Sequence, residues 1–314
     1  MSSMGLCRRY PHAPAQLSAP AAPGDFPDPY VVFTGEHYLA YATGSGGDHI
    51  QVRVSQDLLN WANLPDALPQ VPAWSRPGRT WSPAVHQAGG QWLLWYATLE
   101  PISARQALSV AKAGAPTGPF HDTSTEPAVF QADLGGSIDP SVFVDTDGQA
   151  YLVWKADSNA LGRPSTLWGQ QLAGDGARLS GEPVLLLTHD RRWERPVIEA
   201  PCVTRDGDGY LLLYSAGRWA SPAYAVGFAR SDHPLGPWTK ITKREPWLSS
   251  GEVAAGPGGQ ETFVAEDGAL MMVYHAWSPG LTSYKAGGAR TMRLGRLQVA
   301  GETIWLVPGA PTGH

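Results

Sequence analysis

Cysteine is nearly missing from this sequence: Cys7 and Cys202 are the only two in 314 residues. That excludes a disulfide framework and leaves Cys202 as a small buried apolar residue. Charge is scarce as well. Charged residues make up 16% of the chain and the formal net charge is -5, so nothing provides a basic footprint for nucleic acid or a polybasic patch for an anionic membrane. No apolar run is long enough to span a bilayer. The first 23 residues, with Arg8, Arg9 and four prolines, hold no apolar stretch of signal-peptide length. The sequence predicts a cytoplasmic protein, or a secreted one if a leader has been removed. Long helical periodicity is also missing, which argues against helical repeats.

What the chain has instead is aromatic residues, glycine and a repeat. There are thirteen Trp and eleven Tyr, and ten of them fall in five short apolar runs, Tyr38–Tyr41, Trp92–Tyr96, Tyr151–Trp154, Tyr210–Tyr214 and Leu270–Tyr274. Each run is preceded by turn residues, among them Gly35-Glu36, Gly89-Gly90, Asp147-Gly148, Asp208-Gly209 and Asp267-Gly268. Upstream of each hairpin stands a proline, at 29, 83, 140, 201 and 257, so the spacing is 54 to 61 residues. A period of that length fits propeller blades of four strands. The expected fold is all-β, a five-bladed β-propeller occupying residues 24–314. Residues 1–23 form an N-terminal tail, disordered or draped on the surface. The aromatic runs are continuously apolar, which places them between neighbouring blades.

Three of the five openings carry a carboxylate: Asp28-Pro29, Asp139-Pro140 and Glu199-Ala200-Pro201. A single Asp-Pro is most simply a turn initiator, its Asp pushed into an extended conformation by the proline. Recurrence at one phase of a repeat points further, because a ring brings the starts of all five inner strands around one axis. Three acids facing each other are costly, since close like charges cannot all ionise, and such clusters are kept for chemistry. Glu199 follows Val197 and Ile198, an apolar setting suited to a carboxyl that carries a proton. Asp28 across the ring would stay ionised and activate water. An acid and a base on opposite sides of a sugar are what glycoside hydrolysis requires.

On these three motifs in order, the chain resembles glycoside hydrolase family 43 from about Asp25 to Val307. The resemblance implies a five-bladed propeller that inverts the anomeric carbon, with Asp28 as general base, Asp139 as pKa modulator and orienting group, and Glu199 as general acid. Lys155-Ala156-Asp157-Ser158-Asn159 and Tyr214-Ser215-Ala216-Gly217-Arg218-Trp219 are similar to the family's exo-acting α-L-arabinofuranosidases. The implied substrate is a terminal α-L-arabinofuranosyl unit of an arabinan or arabinoxylan oligosaccharide. β-D-Xylosidase and galactofuranosidase activities are the alternatives on this fold, and a non-catalytic glycan-binding propeller is the alternative outside it. Phe26, Trp81 and Arg290 are the candidate substrate-binding residues; Arg290 would also hold Asp28 ionised. The segments 64–79 and 157–165 are candidates to block the groove for exo action. The chemistry requires no cofactor. By resemblance His275 faces the central channel, where calcium or another ion would be held mainly through waters, because calcium prefers oxygen ligands.

Overall fold

The computed structural model describes residues 15–300 and 303–309. Cys7 and the first part of the tail lie outside them. Five antiparallel sheets are built from consecutive strands. Blade one is β1 (Tyr30–Phe33), β2 (Tyr38–Thr43), β3 (Ile50–Ser55) and β4 (Ala62–Leu64). Blade two is β5 (Arg76–Ala88), β6 (Gln91–Glu100) and β7 (Arg105–Ala113). Blade three is β8 (Ser137–Val144), β9 (Ala150–Ala156), β10 (Thr166–Leu172) and β11 (Leu179–Thr188). Blade four is β12 (Ile198–Asp206), β13 (Gly209–Ala216), β14 (Ala225–Ser231) and β15 (Thr239–Lys240). Blade five is β16 (Ala255–Val264), β17 (Leu270–Trp277), β18 (Thr291–Ala300) and β19 (Thr303–Pro308). No helix among the described residues is long and apolar enough to cross a membrane.

The inner strands β1, β5, β8, β12 and β16 touch one another in that order around the axis, and β16 meets β1. The fold is thus the five-bladed β-propeller that the repeat predicts. Blade two departs from four strands: its outer edge is an irregular segment joined by the isolated bridges Leu108↔Val129 and Lys112↔His121. The aromatic runs are the second strands. Every residue of β2 and β9 is buried, because each strand has a partner on both edges and a neighbouring blade on each face. The core is correspondingly divided into clusters between blades, with Trp95, Trp154 and Trp277 among its largest fully buried side chains.

At each opening the residue before proline has a left-handed backbone, with φ of 53° at Asp28, 49° at Ser82, 55° at Asp139, 48° at Ala200 and 57° at Gly256. The extended conformation expected of a residue before proline is not what the chain adopts. Proline disfavours the right-handed helical region for its predecessor, and here a β-bulge selects the left-handed alternative. Register shifts fall at this point in β5, β8, β12 and β16, between Trp81 and Ala84, Ile138 and Ser141, Glu199 and Cys202, and Ala255 and Gly258. A bulge re-aims side chains, and four of them repeated around a ring aim one residue per blade at the axis. The phase of Asp28 and Asp139 is therefore occupied in blade four by Ala200. Glu199 stands one residue earlier.

Residues 15–23 are draped over the ring closure. The Gln16 amide donates to the Leu306 carbonyl at 3.2 Å and the Ala21 amide to that of Met292 at 2.8 Å, both on blade five, while Arg53 of blade one donates to the Pro23 carbonyl at 2.9 Å. Ser18 offers its carbonyl to Arg293, a guanidinium that is 1% exposed and forms no ion pair among the described residues. Removing residues 1–23 should destabilise the protein by about 3 kcal/mol, since a buried cation loses an acceptor and the joint between the last and first blades loses its strap. A urea midpoint unchanged by the deletion would refute this.

Candidate active site

A cavity of about 630 Å³ opens at the axis. Its lining includes Asp28, Asp139 and Glu199 together with Trp81 and Arg290. Four of the five openings meet here or in the small cavity beneath, which Gly259, Gln260 and Glu261 of the fifth also line. Asp139 and Glu199 reach the axis from the starts of inner strands, Asp28 from just before β1, Trp81 from within β5, and Arg290 from the residue just before β18, the third strand of blade five.

Asp28 is fixed at both oxygens. Thr43 Oγ1, at the end of β2, donates to Oδ2 at 2.7 Å, and Arg290 Nη1 lies 3.4 Å from Oδ1. Burial alone would raise its pKa; the Arg290 guanidinium and the Thr43 hydrogen bond outweigh that and hold it below the ordinary aspartate value. His275 contributes differently. The Asp28 amide donates to His275 Nδ1 at 3.0 Å, so that nitrogen carries no proton and the ring is neutral. Its 3.3 Å approach to Asp28 Oδ1 is then no salt bridge. Burial first, and Arg290 second, push the imidazole down to about 3, in keeping with that tautomer.

Asp139 accepts from Ser82 Oγ and from the Ala200 amide, both at 3.0 Å. Burial and the nearby Glu199 carboxylate push it up to about 7, against the pull of Lys155. Glu199 accepts at both oxygens, from Lys155 Nζ at 2.8 Å and from Tyr224 Oη at 2.9 Å. Its setting is therefore polar and charged, not apolar. Ile198 and Val197 are buried, but successive strand residues face opposite ways, so Ile198 packs into the blade while Glu199 turns to the cavity, and Val197 stands before the strand begins.

These groups belong to one hydrogen-bonded circuit through all five blades. From Asp28 it runs through Thr43 Oγ1 to the Ser82 amide, and from Ser82 Oγ through Asp139 to the Ala200 amide. The Ala200 carbonyl accepts from Gln260 Nε2, Gln260 Oε1 from Ser215 Oγ, and Ser215 Oγ from the Gly259 amide. The Asp28 amide closes the ring on His275. Side-chain links are tied to backbone amides and a carbonyl along it, so Asp28 and Asp139 cannot shift independently.

Of the residues expected to bind substrate, Trp81 and Arg290 line the cavity. Arg290 also stacks over Trp219 at 4.9 Å and donates from Nε to Tyr284 Oη at 3.0 Å. Phe26 does not reach the cavity: it is fully buried between blades five and one, with the Arg53 guanidinium 4.3 Å above its ring. It stands between Asp25 and Pro27 at a blade joint, and its side chain fills the joint. The segment 157–165 supplies Asp157 and Asn159 to the wall, whereas 64–79 supplies none of its lining residues. For an ion, the described residues contain no group of three or more His, Cys, Asp or Glu placed to hold a metal. The buried Nε2 of His275 lacks a partner, a single donor that suits a water or a hydrated ion and not a bare cation.

Lys155, Asp157, Tyr224, Thr43, Ser82 and Tyr284 complete the site, and the sequence reading gave none of them a chemical role. Two left a signal. Ser82 occupies the repeat phase of Asp28 and Asp139, and Lys155 interrupts the apolar run Tyr151–Ala156. Tyr224, in the loop before β14, and Tyr284, opening the short 3-10 turn Tyr284–Ala286, left none.

The model of the family described as Glycosyl hydrolases family 43 matches residues 17–303. A β-D-galactofuranosidase of Aspergillus niger is 27% identical over 272 residues, covering 82% of this chain and 75% of that protein. An extracellular exo-α-(1→5)-L-arabinofuranosidase of Cellvibrio japonicus is 26% identical over 260 residues, covering 74% of this chain and 71% of that protein. A solved thermostable family-43 glycoside hydrolase superposes with a TM-score of 0.81 at 26% identity, over 96% of this chain and 98% of that one.

Proposed function

This chain belongs to glycosyl hydrolase family 43, and from that premise we propose that it is an inverting exo-glycosidase removing terminal α-L-arabinofuranosyl residues from arabinan- or arabinoxylan-type oligosaccharides. The observation that carries the reading is the convergence of Asp28, Asp139, Glu199 and Arg290 on one axial cavity. Asp28, held ionised by Arg290 and Thr43, takes the proton of the attacking water. Glu199 gives a proton to the departing glycosidic oxygen, and water enters on the opposite face of the ring, which inverts the anomeric carbon. Asp139, pushed up to about 7 by burial and the Glu199 carboxylate, forms with Glu199 a coupled pair that holds a proton between them, and it orients the Ala200 backbone beside Glu199. An ion in the channel would meet His275 through water and stands apart from the proton transfers.

The indole of Trp81 in the cavity wall suits the apolar face of a sugar, and walls from the loops at Gly44, Asp157, Trp219 and Tyr284 suit a chain end better than a through-running polymer. Similarity to a β-D-galactofuranosidase supports a second reading, a terminal galactofuranoside. A panel of 4-nitrophenyl glycosides separates them. The α-L-arabinofuranoside is expected to turn over fastest, ahead of the β-D-galactofuranoside and β-D-xyloside, and proton NMR of the fresh product should show the β-anomer first. Binding of oligosaccharides with no turnover of any glycoside would overturn the enzyme reading, and an α-anomer as first product would overturn inversion.

A further inference from the structure

Lys155 is the one charged residue in β9, a strand whose every residue is buried. Its side chain is 2% exposed, and Nζ lies 2.8 Å from Glu199 Oε2 and 2.9 Å from Asp157 Oδ1. Burying an ammonium costs several kcal/mol unless it is paired. Burial alone would lower its pKa; Glu199 and Asp157 outweigh that and raise it, so Lys155 stays charged at any working pH. The cation thus has two anchors of different standing. Asp157 sits at the cavity rim and has no hydrogen bond to the circuit around the axis, whereas Glu199 is the carboxyl assigned to proton donation.

Resting on that assignment, we infer that Lys155, anchored by Asp157, is a positioning residue for the Glu199 acid. It fixes Oε2 while Tyr224 fixes Oε1, so the carboxyl plane cannot rotate in the cavity. Its ammonium, 2.8 Å from Oε2, also stabilises the carboxylate left behind when the proton passes to a poorly leaving sugar oxygen. The other titratable and charged groups facing Glu199 are Asp139 from blade three, Tyr224 from blade four, Asp28 from blade one, and the neutral His275 and Arg290 from blade five. Arg290 is paired with Asp28, so among the described residues Lys155 is the cation bonded directly to the Glu199 carboxyl. Asp157 tempers it: an anion on the far side of the ammonium weakens its field at Glu199.

Opposite signs follow for two neighbouring substitutions. In Lys155→Met the alkaline limb of kcat/KM against pH should move up by about one pH unit or more, with kcat falling on a 4-nitrophenyl glycoside and much less on the 2,4-dinitrophenyl glycoside, whose leaving group needs little acid. In Asp157→Asn the limb should move down, and Lys155→Arg should keep it near the wild-type position. The limb belongs to the coupled Asp139 and Glu199 pair, so its displacement is the quantity compared. Limbs unmoved, or moved in the same direction, in Lys155→Met and Asp157→Asn proteins that melt cooperatively would overturn the inference. If Lys155→Met is insoluble, the downward shift in Asp157→Asn decides it. Glu199→Gln is the control on the premise: equal losses on both leaving groups with the alkaline limb intact would remove the acid assignment, and the clamp with it.

Discussion

Replacing Asp28 with asparagine is expected to lower kcat/KM on an aryl α-L-arabinofuranoside by about 10²–10⁴-fold on every leaving group, the share that a positioned general base contributes. Asparagine can still accept from Thr43, so the hydrogen-bonded circuit and the fold survive; what is lost is the charge that draws the water proton. External azide should restore turnover in this variant, because a small anion can replace the activated water. Glu199→Gln gives the contrasting pattern, a loss of the same order on 4-nitrophenyl substrates that shrinks as the leaving group becomes a better one. Retained activity in Asp28→Asn would sink the base assignment. The left-handed backbone strengthens the contrast with other substitutions, since Asp and Asn tolerate φ near the 53° found here and most residues do not.

The second large effect is on stability and concerns Glu261, which serves no step of the proposed reaction. Its carboxyl lines the small cavity beneath Asp28 and Asp139 and accepts from Ser141 Oγ at 3.0 Å. Burial pushes it up to about 8; bonds to Cys202 and Ser141 oppose this and the nearby Asp139 adds to it. A carboxyl whose folded pKa lies above its unfolded value of 4.5 stabilises fully below pH 4.5, and that contribution is lost as pH rises through 8. Glu261→Gln keeps the shape and removes the charge. Relative to wild type it should therefore gain about 3 kcal/mol between pH 4.5 and 8.5, after a discount for the water that reaches the channel. Urea midpoints at the two pH values test this, and a wild-type to variant difference that stays constant across them would refute it.

The same two residues show what could be read in advance. Asp28 was legible because it combines a repeat phase with a residue type: a carboxylate before proline, matched by Asp139 at the same phase. Glu261 was not. It stands four residues beyond Pro257 in a strand with two register shifts, and nothing in a linear pattern tells which way its side chain turns after them. Phe26 illustrates the reverse error, proximity in sequence to Asp28 standing in for proximity in space. The polar setting of Glu199 was hidden for a related reason. Val197 and Ile198 are its sequence neighbours, but the groups that touch it, Lys155 and Tyr224, come from blade three and from a loop 25 residues downstream.

By itself the sequence determined the ring. Periodic prolines, glycine turns and apolar aromatic strands are local features, and local features repeated at 54 to 61 residues leave few ways to bury five hairpins other than around an axis. Only the tertiary structure decided the electrostatics of the centre. Which carboxyl stays charged and which keeps a proton depends on distances of about 3 Å between side chains that lie up to 262 residues apart in sequence, as Asp28 and Arg290 do, and Coulomb energies at that range are set by geometry and burial that no spacing of residues along the chain encodes.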